Sequence, residues 1–398
     1  MNGPAVTGPF GLSTALAERE QAGLLRNRIA TDGASGGRLR VAGRDYLNFS
    51  ANDYLRLADH GAIKAAFNAG IERYGTGSGA SPLVTGYSHA HQQLEETLAE
   101  WLGVEAVLLF NCGFSANQAV LKALLGKEHL LWQDKLNHAS LQEMGSQLPC
   151  KMKRFAHNDM AALERQLEPN RGLIVSEGVF SMDGDQAPWG ELAALAARSG
   201  NWLMIDDAHG LGVQGPEGRG TLAAQGVPPA SVHIQMGTFG KALGVAGAFV
   251  GGSRELVEYL VNFARHYVYS THMPAAQACA VSKSIELVRA ADESRAHLGQ
   301  LIARFRQGAK DQGWQLGASD TPIQPLLVGE SSVALQLAER LRERGVWVSA
   351  IRPPTVPVGT ARLRITLSAA HREQDLDRLL DALGVCPAAT TLGEAHYG

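Results

Sequence analysis

The chain has 398 residues, 45% of them hydrophobic and 19% charged, with a formal net charge of −3. At about 150 residues per domain, that length suggests two or three domains of ordinary enzyme-like composition. The near-neutral charge offers no basic field to nucleic acid or anionic lipid, and no apolar run approaches the roughly 18 residues that a bilayer span needs.

Residues 1–15 are rich in Gly, Pro and small side chains and read as loose. No basic residue precedes Arg19 and no apolar segment follows it, so no secretory leader is expected. A helix is expected over 16–29, with Arg26 and Arg28 at its basic end. Residues 40–49 read as a β-hairpin turning at Gly43-Arg44, and Ser50-Ala51-Asn52-Asp53-Tyr54-Leu55 as a polar turn that can cap a helix or line a site. The Gly/Ser-rich stretch 75–86 is either a connector or a backbone cradle for a bound group. From His89, the spacing of Leu94, Leu98, Trp101 and Leu102 gives an amphipathic helix that stops at Gly103.

Short apolar runs then alternate with helices. Strands are expected at 106–110, 173–176, 202–205, 232–236 and 246–250. Helices are expected from Gly113 to near Gly126 and over 191–199. Such alternation means a mainly parallel sheet covered on both faces. A long helical stretch, 275–312, leads to a second α/β unit: strand 323–328, helix 331–344, strand 346–351, a Pro-rich turn 352–359, strand 362–367 and helix 371–383. Residues 387–398 read as an unstructured tail. The resulting division is an N-terminal helix and hairpin (1–50), a large domain (51–285), a small C-terminal α/β domain (286–385) and a tail (386–398). Cys112, Cys150, Cys279 and Cys386 are widely spaced, with no CxxC pair and no Cys/His cluster. They read as reduced thiols of a cytoplasmic protein that holds no metal.

In a doubly wound sheet, polar residues just past the strand ends gather in one crevice. Four clusters fall there. Gly113 and Phe114 begin a helix whose free N–H groups suit a phosphate. Ser181 follows the second strand. Asp206 and His209 follow the third; a carboxylate there can hold a ring nitrogen protonated, and an imidazole can hydrogen-bond a phenolic oxygen, although a capped turn with a surface His also fits. The fourth is Gly237-Thr238-Phe239-Gly240-Lys241-Ala242-Leu243-Gly244. Its lysine sits among small and apolar residues, which suits a Schiff-base amine approached by a flat ligand, with the glycines leaving room. His138 can stack on an aromatic ligand. Arg364, between Leu363 and Ile365 on an apolar strand, needs an anionic partner, either a substrate carboxylate or an internal Asp. Phosphate donors, a carboxylate for a ring nitrogen, two histidines, a lysine and an arginine together match pyridoxal 5′-phosphate (PLP) bound to an amino acid.

Asn52-Asp53-Tyr54-Leu55, Gly113-Phe114-Ser115-Ala116-Asn117, His138-Ala139-Ser140, Glu177-Gly178-Val179-Phe180-Ser181-Met182-Asp183-Gly184, Asp206-Asp207-Ala208-His209-Gly210 and Thr238-Phe239-Gly240-Lys241 resemble, in order, the motifs of the α-oxoamine synthases. The likeness covers about residues 16–385. It implies PLP-dependent transferase fold type I: a mainly parallel central sheet in a large domain and a smaller C-terminal α/β domain. It implies a Schiff base and proton transfer at Lys241, with His138, Asp206 and His209 as the other catalytic residues. Asp206 would pair with the ring nitrogen, His209 with the ring oxygen, and His138 would stack on the ring. Gly113, Phe114 and Thr238 would hold the phosphate, with Ser181 beside the cofactor. Ser270 and Thr271 would reach the neighbouring subunit's phosphate in a homodimer with its site at the interface. Arg26, Asn52, His138, Thr355 and Arg364 would contact substrate.

The stretch Ala350–Pro357 and 359–364 resembles the biotin-pathway member, which condenses L-alanine with a pimeloyl thioester. It looks less like members that take glycine with acetyl- or succinyl-CoA, or serine with palmitoyl-CoA. Alternatives are one of those synthases, a fold type I aminotransferase, or a silent partner subunit, which would be expected to lack the lysine. A nicotinamide enzyme fits less well, because no GxGxxG opens a helix after a strand with an acid about 20 residues on. Arg56 stands where the family has Gly, which allows positive φ; His272 replaces a small residue, and Leu211 a frequent Thr.

Overall fold

The computed structural model describes residues 10–33 and 36–385. The tail expected at 387–398, Cys386 and residues 1–9 lie outside the described residues; of the stretch 1–15 expected to be loose, Leu12 onward is helical. The first helix is Leu12–Gln21 and buries none of its side chains. It ends well before residue 29, because Gly23 adopts φ 64° and turns the chain out of the helix. The hairpin forms as expected, with β1 (Arg38–Val41) antiparallel to β2 (Arg44–Asn48).

The central sheet has seven strands. In chain order they are β3 (Ala106–Phe110), β4 (Leu130–Asp134), β5 (Lys151–Phe155), β6 (Gly172–Glu177), β7 (Trp202–Asp206), β8 (Ile234–Thr238) and β9 (Ala248–Gly252). Their spatial order is β3-β9-β8-β7-β6-β4-β5. All neighbours from β8 through β7, β6 and β4 to β5 are parallel, and β9 runs antiparallel to both β8 and β3. The five expected strands are therefore present. No strand is expected from the sequence at β4 or β5. The β5 segment, Lys-Met-Lys-Arg-Phe, is an edge strand whose charged side chains discourage pairing with other chains. The same charges hide it from an apolarity-based reading.

Both faces of the sheet are buried, as parallel sheets require. Along β7, Met204 packs on one side with Leu173, Val175 and Val250, while Leu203 and Ile205 pack on the other with Trp132, Trp189 and Leu192. A third core joins Trp101, Phe239, Leu243 and Phe249 to Ile323, Leu363, Ile365 and Leu376, so one apolar body continues into the C-terminal unit. Leu211 belongs to it at 2% exposure; an apolar side chain fills the place of the family's Thr.

The C-terminal unit holds β10 (Ile323–Gly329), β11 (Val346–Trp347), β12 (Ser349–Ile351) and β13 (Ala361–Thr366). The expected strand 346–351 is thus two strands in two sheets. The first, β11, pairs parallel with β2, while β12 joins the antiparallel sheet β10-β13-β12. The expected helical stretch 275–312 is likewise two helices, Ala275–Arg289 and Asp292–Asp311. Arg56 does adopt φ 59°, the left-handed backbone that a Gly would take without strain. His272 is buried and lies against the His91 ring with centroids 4.3 Å apart.

Candidate active site

Lys241 is fixed by the way its loop is anchored. Phe239, Ala242 and Leu243 are buried at 1% exposure or less, and the Phe239 N–H is held by the Gly247 carbonyl at 2.9 Å. Two of the loop's glycines serve this packing rather than ligand access. A Cβ on Gly237 would meet the Phe249 ring at 2.6 Å, and one on Gly244 would meet the backbone at Ala58 at 2.3 Å. A Cβ on Gly240 would make only ordinary contacts, with Thr238 Oγ1 and the Val245 carbonyl at 3.7 Å. Burial pushes the lysine amine down to about 8, against the opposing charges of Asp206 and Glu177.

Asp206 ends β7, where its two oxygens are held by different partners. Oδ2 accepts from Asn117 Nδ2 at 2.7 Å, and Oδ1 accepts from the Ala208 N–H at 3.1 Å. Asn117 lies on the helix Gly113–Leu124, and its second amide proton goes to Ser140 Oγ at 2.9 Å. That hydroxyl is 2.8 Å from His138 Nδ1, which also accepts the Ser140 N–H at 3.2 Å. A neutral His138 therefore carries its proton on Nε2. Its basicity is lowered by burial and by Lys241, with Asp206 opposing.

The Gly113–Leu124 helix has no side-chain cap at its N-terminus, so its first N–H groups are free for an anion. Gly113 lies beside Thr238, which sits about 3.8 Å from where a Gly113 Cβ would be. Phe114 is 40% exposed, with its ring edge toward His138. The Thr238 hydroxyl donates to the Gly247 carbonyl at 2.9 Å and accepts the Gly240 N–H at 3.3 Å, so its proton is already engaged.

His209 is buried, and its Nδ1 lies 2.6 Å from the Tyr54 hydroxyl. Burial, then the nearby Lys241 and Arg364 charges, hold it well below the ordinary imidazole range. Arg364 reaches the same pocket from β13. Nε donates to the Ser181 carbonyl at 2.7 Å, and Nη1 to Asn52 Oδ1 at 3.2 Å and Thr366 Oγ1 at 3.0 Å. All three acceptors are neutral, and Nη2 is buried without a partner. Ser181, expected beside the cofactor, meets Arg364 through its carbonyl.

Arg26 and Thr355, both exposed and both expected to touch substrate, hydrogen-bond each other at 3.1 Å across 329 residues of sequence. Thr271 meets the segment just before Gly113, its carbonyl accepting from Asn111 Nδ2 at 2.8 Å.

Tyr54, Asn117, Ser140 and Glu177 belong to the site but were not singled out by sequence. Asn117 stands four residues after Gly113, on the same helix face. Glu177 is paired in register with Asp206 on the next strand, and burial, then the Asp206 charge, raises its carboxyl well above the usual range.

A mainly parallel sheet with an amine, a carboxylate and free helix N–H groups at its strand ends is the architecture of the PLP-dependent aminotransferase fold. The family model described as aminotransferase class I and II matches residues 44–383, and the chain belongs to that family. An 8-amino-7-oxononanoate synthase of Aeromonas hydrophila subsp. hydrophila is 88% identical over 396 residues, covering 100% of both chains. A structure of SPT with a PLP internal aldimine superposes with a TM-score of 0.88 at 27% identity, covering 94% of this chain and 96% of that one. A crystal structure of 8-amino-7-oxononanoate synthase from Francisella tularensis gives 0.76 at 27% identity, covering 85% and 97%.

Proposed function

We propose that the chain binds PLP and condenses L-alanine with a pimeloyl thioester, releasing CO₂ and the free thiol and giving 8-amino-7-oxononanoate, in the cytoplasm. The observation that carries the reading is Arg364. A buried guanidinium with only neutral partners and a free Nη2 asks for an anion of the size of a carboxylate, and it lies beside Lys241 and His209. The same substrate pair is implied by the name of the 88% identical relative.

The residues fit PLP. The uncapped helix at Gly113 and Phe114 would take its phosphate, and Asp206 its ring nitrogen. His209 would take the ring oxygen, with His138 against the ring face and Lys241 on the aldehyde carbon. Thr238 would join the phosphate set through its hydroxyl. When bound, PLP supplies an electron sink for the pair left at the substrate Cα. Lys241, with its amine brought close to neutrality by burial, moves the Cα proton at Nζ. Asn117 Nδ2 and the Ala208 N–H donate to the two oxygens of Asp206 and hold its carboxylate in place. Arg364 holds the alanine carboxylate through Nη2. Arg26 and Thr355 line the exposed approach for the thioester.

The enzyme works as a homodimer with its site at the interface. Exposed Leu83, Val84, Tyr87, Phe263 and Tyr269 support this as apolar surface, and the turn Pro82–Gly86 that carries Leu83 and Val84 contacts the helix Arg265–Val268 that leads to Ser270 and Thr271. The test is a grid of L-alanine, glycine and serine against pimeloyl, acetyl, succinyl and palmitoyl thioesters, on CoA and on carrier protein, with CO₂ and thiol measured. Turnover confined to alanine with pimeloyl is expected, and Lys241→Ala should abolish both turnover and the lysine–PLP absorption band. A Lys241→Ala protein that still makes product would sink the assignment.

A further inference from the structure

Tyr54 is fully buried, yet its hydroxyl sits between two polar groups from distant parts of the chain. On one side His209 Nδ1 is 2.6 Å away; on the other, Asn52 Oδ1 is 3.3 Å away and accepts from Arg364 Nη1 at 3.2 Å. A phenol has one proton to give. We propose that Tyr54 is a positioning residue: it donates to His209 Nδ1 and fixes that imidazole as the Nε2–H tautomer. The proposal rests on the PLP reading above, because it concerns how His209 meets the cofactor's ring oxygen.

Three observations favour this proton arrangement. The short contact is the one to His209, and the contact to Asn52 is 0.7 Å longer. Asn52 Oδ1 already accepts from a charged donor. Burial, with the charges of Lys241, Arg364 and His138 around it, keeps His209 neutral, so only one of its nitrogens carries a proton. The reverse arrangement would turn the Nε2 lone pair toward an oxygen that is itself electron-rich. Burial pushes the Tyr54 hydroxyl up to about 12, with the nearby Arg364 opposing, so it remains a donor throughout the working pH range.

The arrangement matters because a donor on the ring oxygen weakens that oxygen's hold on the proton it shares with the lysine nitrogen. The midpoint of the pH titration of the lysine–PLP band then falls. Tyr54→Phe in the PLP-loaded protein is expected to raise that midpoint by about one pH unit. It should lower kcat about tenfold while changing the alanine KM by less than about threefold. In a His209→Gln background, Tyr54→Phe should move the midpoint no further, because the tyrosine acts through the histidine. An unchanged midpoint, or a full additional shift in the His209→Gln background, overturns the proposal. Nitrogen NMR on histidine-labelled holoenzyme gives an independent reading without any variant: a protonated Nε2 on His209 is expected, and a protonated Nδ1 overturns the proposal even if Tyr54→Phe does not fold. If the parent protein forms no borohydride-reducible adduct at Lys241, the PLP reading itself falls and this proposal falls with it. A parent that forms the adduct, with a Tyr54→Phe midpoint identical to it, refutes the tyrosine's role alone.

Discussion

Two buried arginines stand two residues apart on β13 and meet different surroundings. Arg362 is 2% exposed, with Nη1 on Asp183 Oδ1 at 2.5 Å and on the Met182 carbonyl at 3.2 Å. Arg364 is 6% exposed and finds the Ser181 carbonyl, Asn52 and Thr366, but no acid. The internal Asp that sequence reasoning allowed as a partner for Arg364 does exist in this segment, but it belongs to Arg362. Both arginines grip the same loop, residues 181–183, so the C-terminal unit is docked by a completed ion pair and an incomplete one side by side. A completed buried pair contributes to structure; an incomplete one waits for an anion.

Making the same substitution at both positions tests this directly. Arg364→Met should lower kcat/KM for alanine about a thousandfold, about 4 kcal/mol, mostly through KM. Its melting temperature should be unchanged or higher, since a poorly compensated buried charge is removed. Steady-state kinetics with a thermal melt checks both, and a kinetically normal Arg364→Met would break the comparison. Arg362→Met should do the reverse. The loss of stability is expected at about 2–4 kcal/mol, moderated by the 22% exposure of the Asp183 side chain, with alanine KM within about threefold of the parent. Denaturant unfolding measures it.

Further along the same loop, His157 bridges Asp185 at 2.7 Å and Asp134 at 3.0 Å. Burial lowers its basicity, but the hydrogen bonds and charges of the two carboxylates outweigh that and push it up to about 10. The folded state therefore binds a proton more tightly than the unfolded chain. The stability from this cluster is fully present below about 6.5 and is lost as pH rises toward 10. Unfolding measured across that window should show a decline of about 1–2 kcal/mol that flattens in His157→Gln. The smallest effect is expected at Arg56. Relief of its left-handed backbone and the added freedom of the unfolded chain oppose one another, so Arg56→Gly should change stability by less than about 1 kcal/mol. A shift of several degrees in melting temperature would show that the Arg56 side chain does more than tolerate its φ.

The residues legible in the sequence are those whose signal is local. Lys241 sits in its own glycine loop, Asp206 and His209 directly follow an apolar strand, and Gly113 opens a helix. Each is placed at the crevice by the rule that strand ends in a parallel sheet converge. Local signals also failed where context dominates. The β5 edge strand carries charges in place of an apolar run, and the 346–351 segment divides because β2, some 300 residues earlier, takes its first half. The Gly237 and Gly244 positions, readable as ligand space, are filled by Phe249 and by the backbone at Ala58.

Sequence by itself determined the class of chemistry, since amine, carboxylate, imidazoles and phosphate-binding turn are all written within a few residues of their strands. Only the tertiary structure decided which groups are completed and which are left open. Asn117 supports Asp206 across 89 residues, Tyr54 meets His209 across 155, and Arg364 reaches Asn52 across 312. No periodicity or spacing encodes such contacts. They exist because burial in one continuous core presses polar groups toward partners there, and Arg364 Nη2 is among the buried atoms left without one.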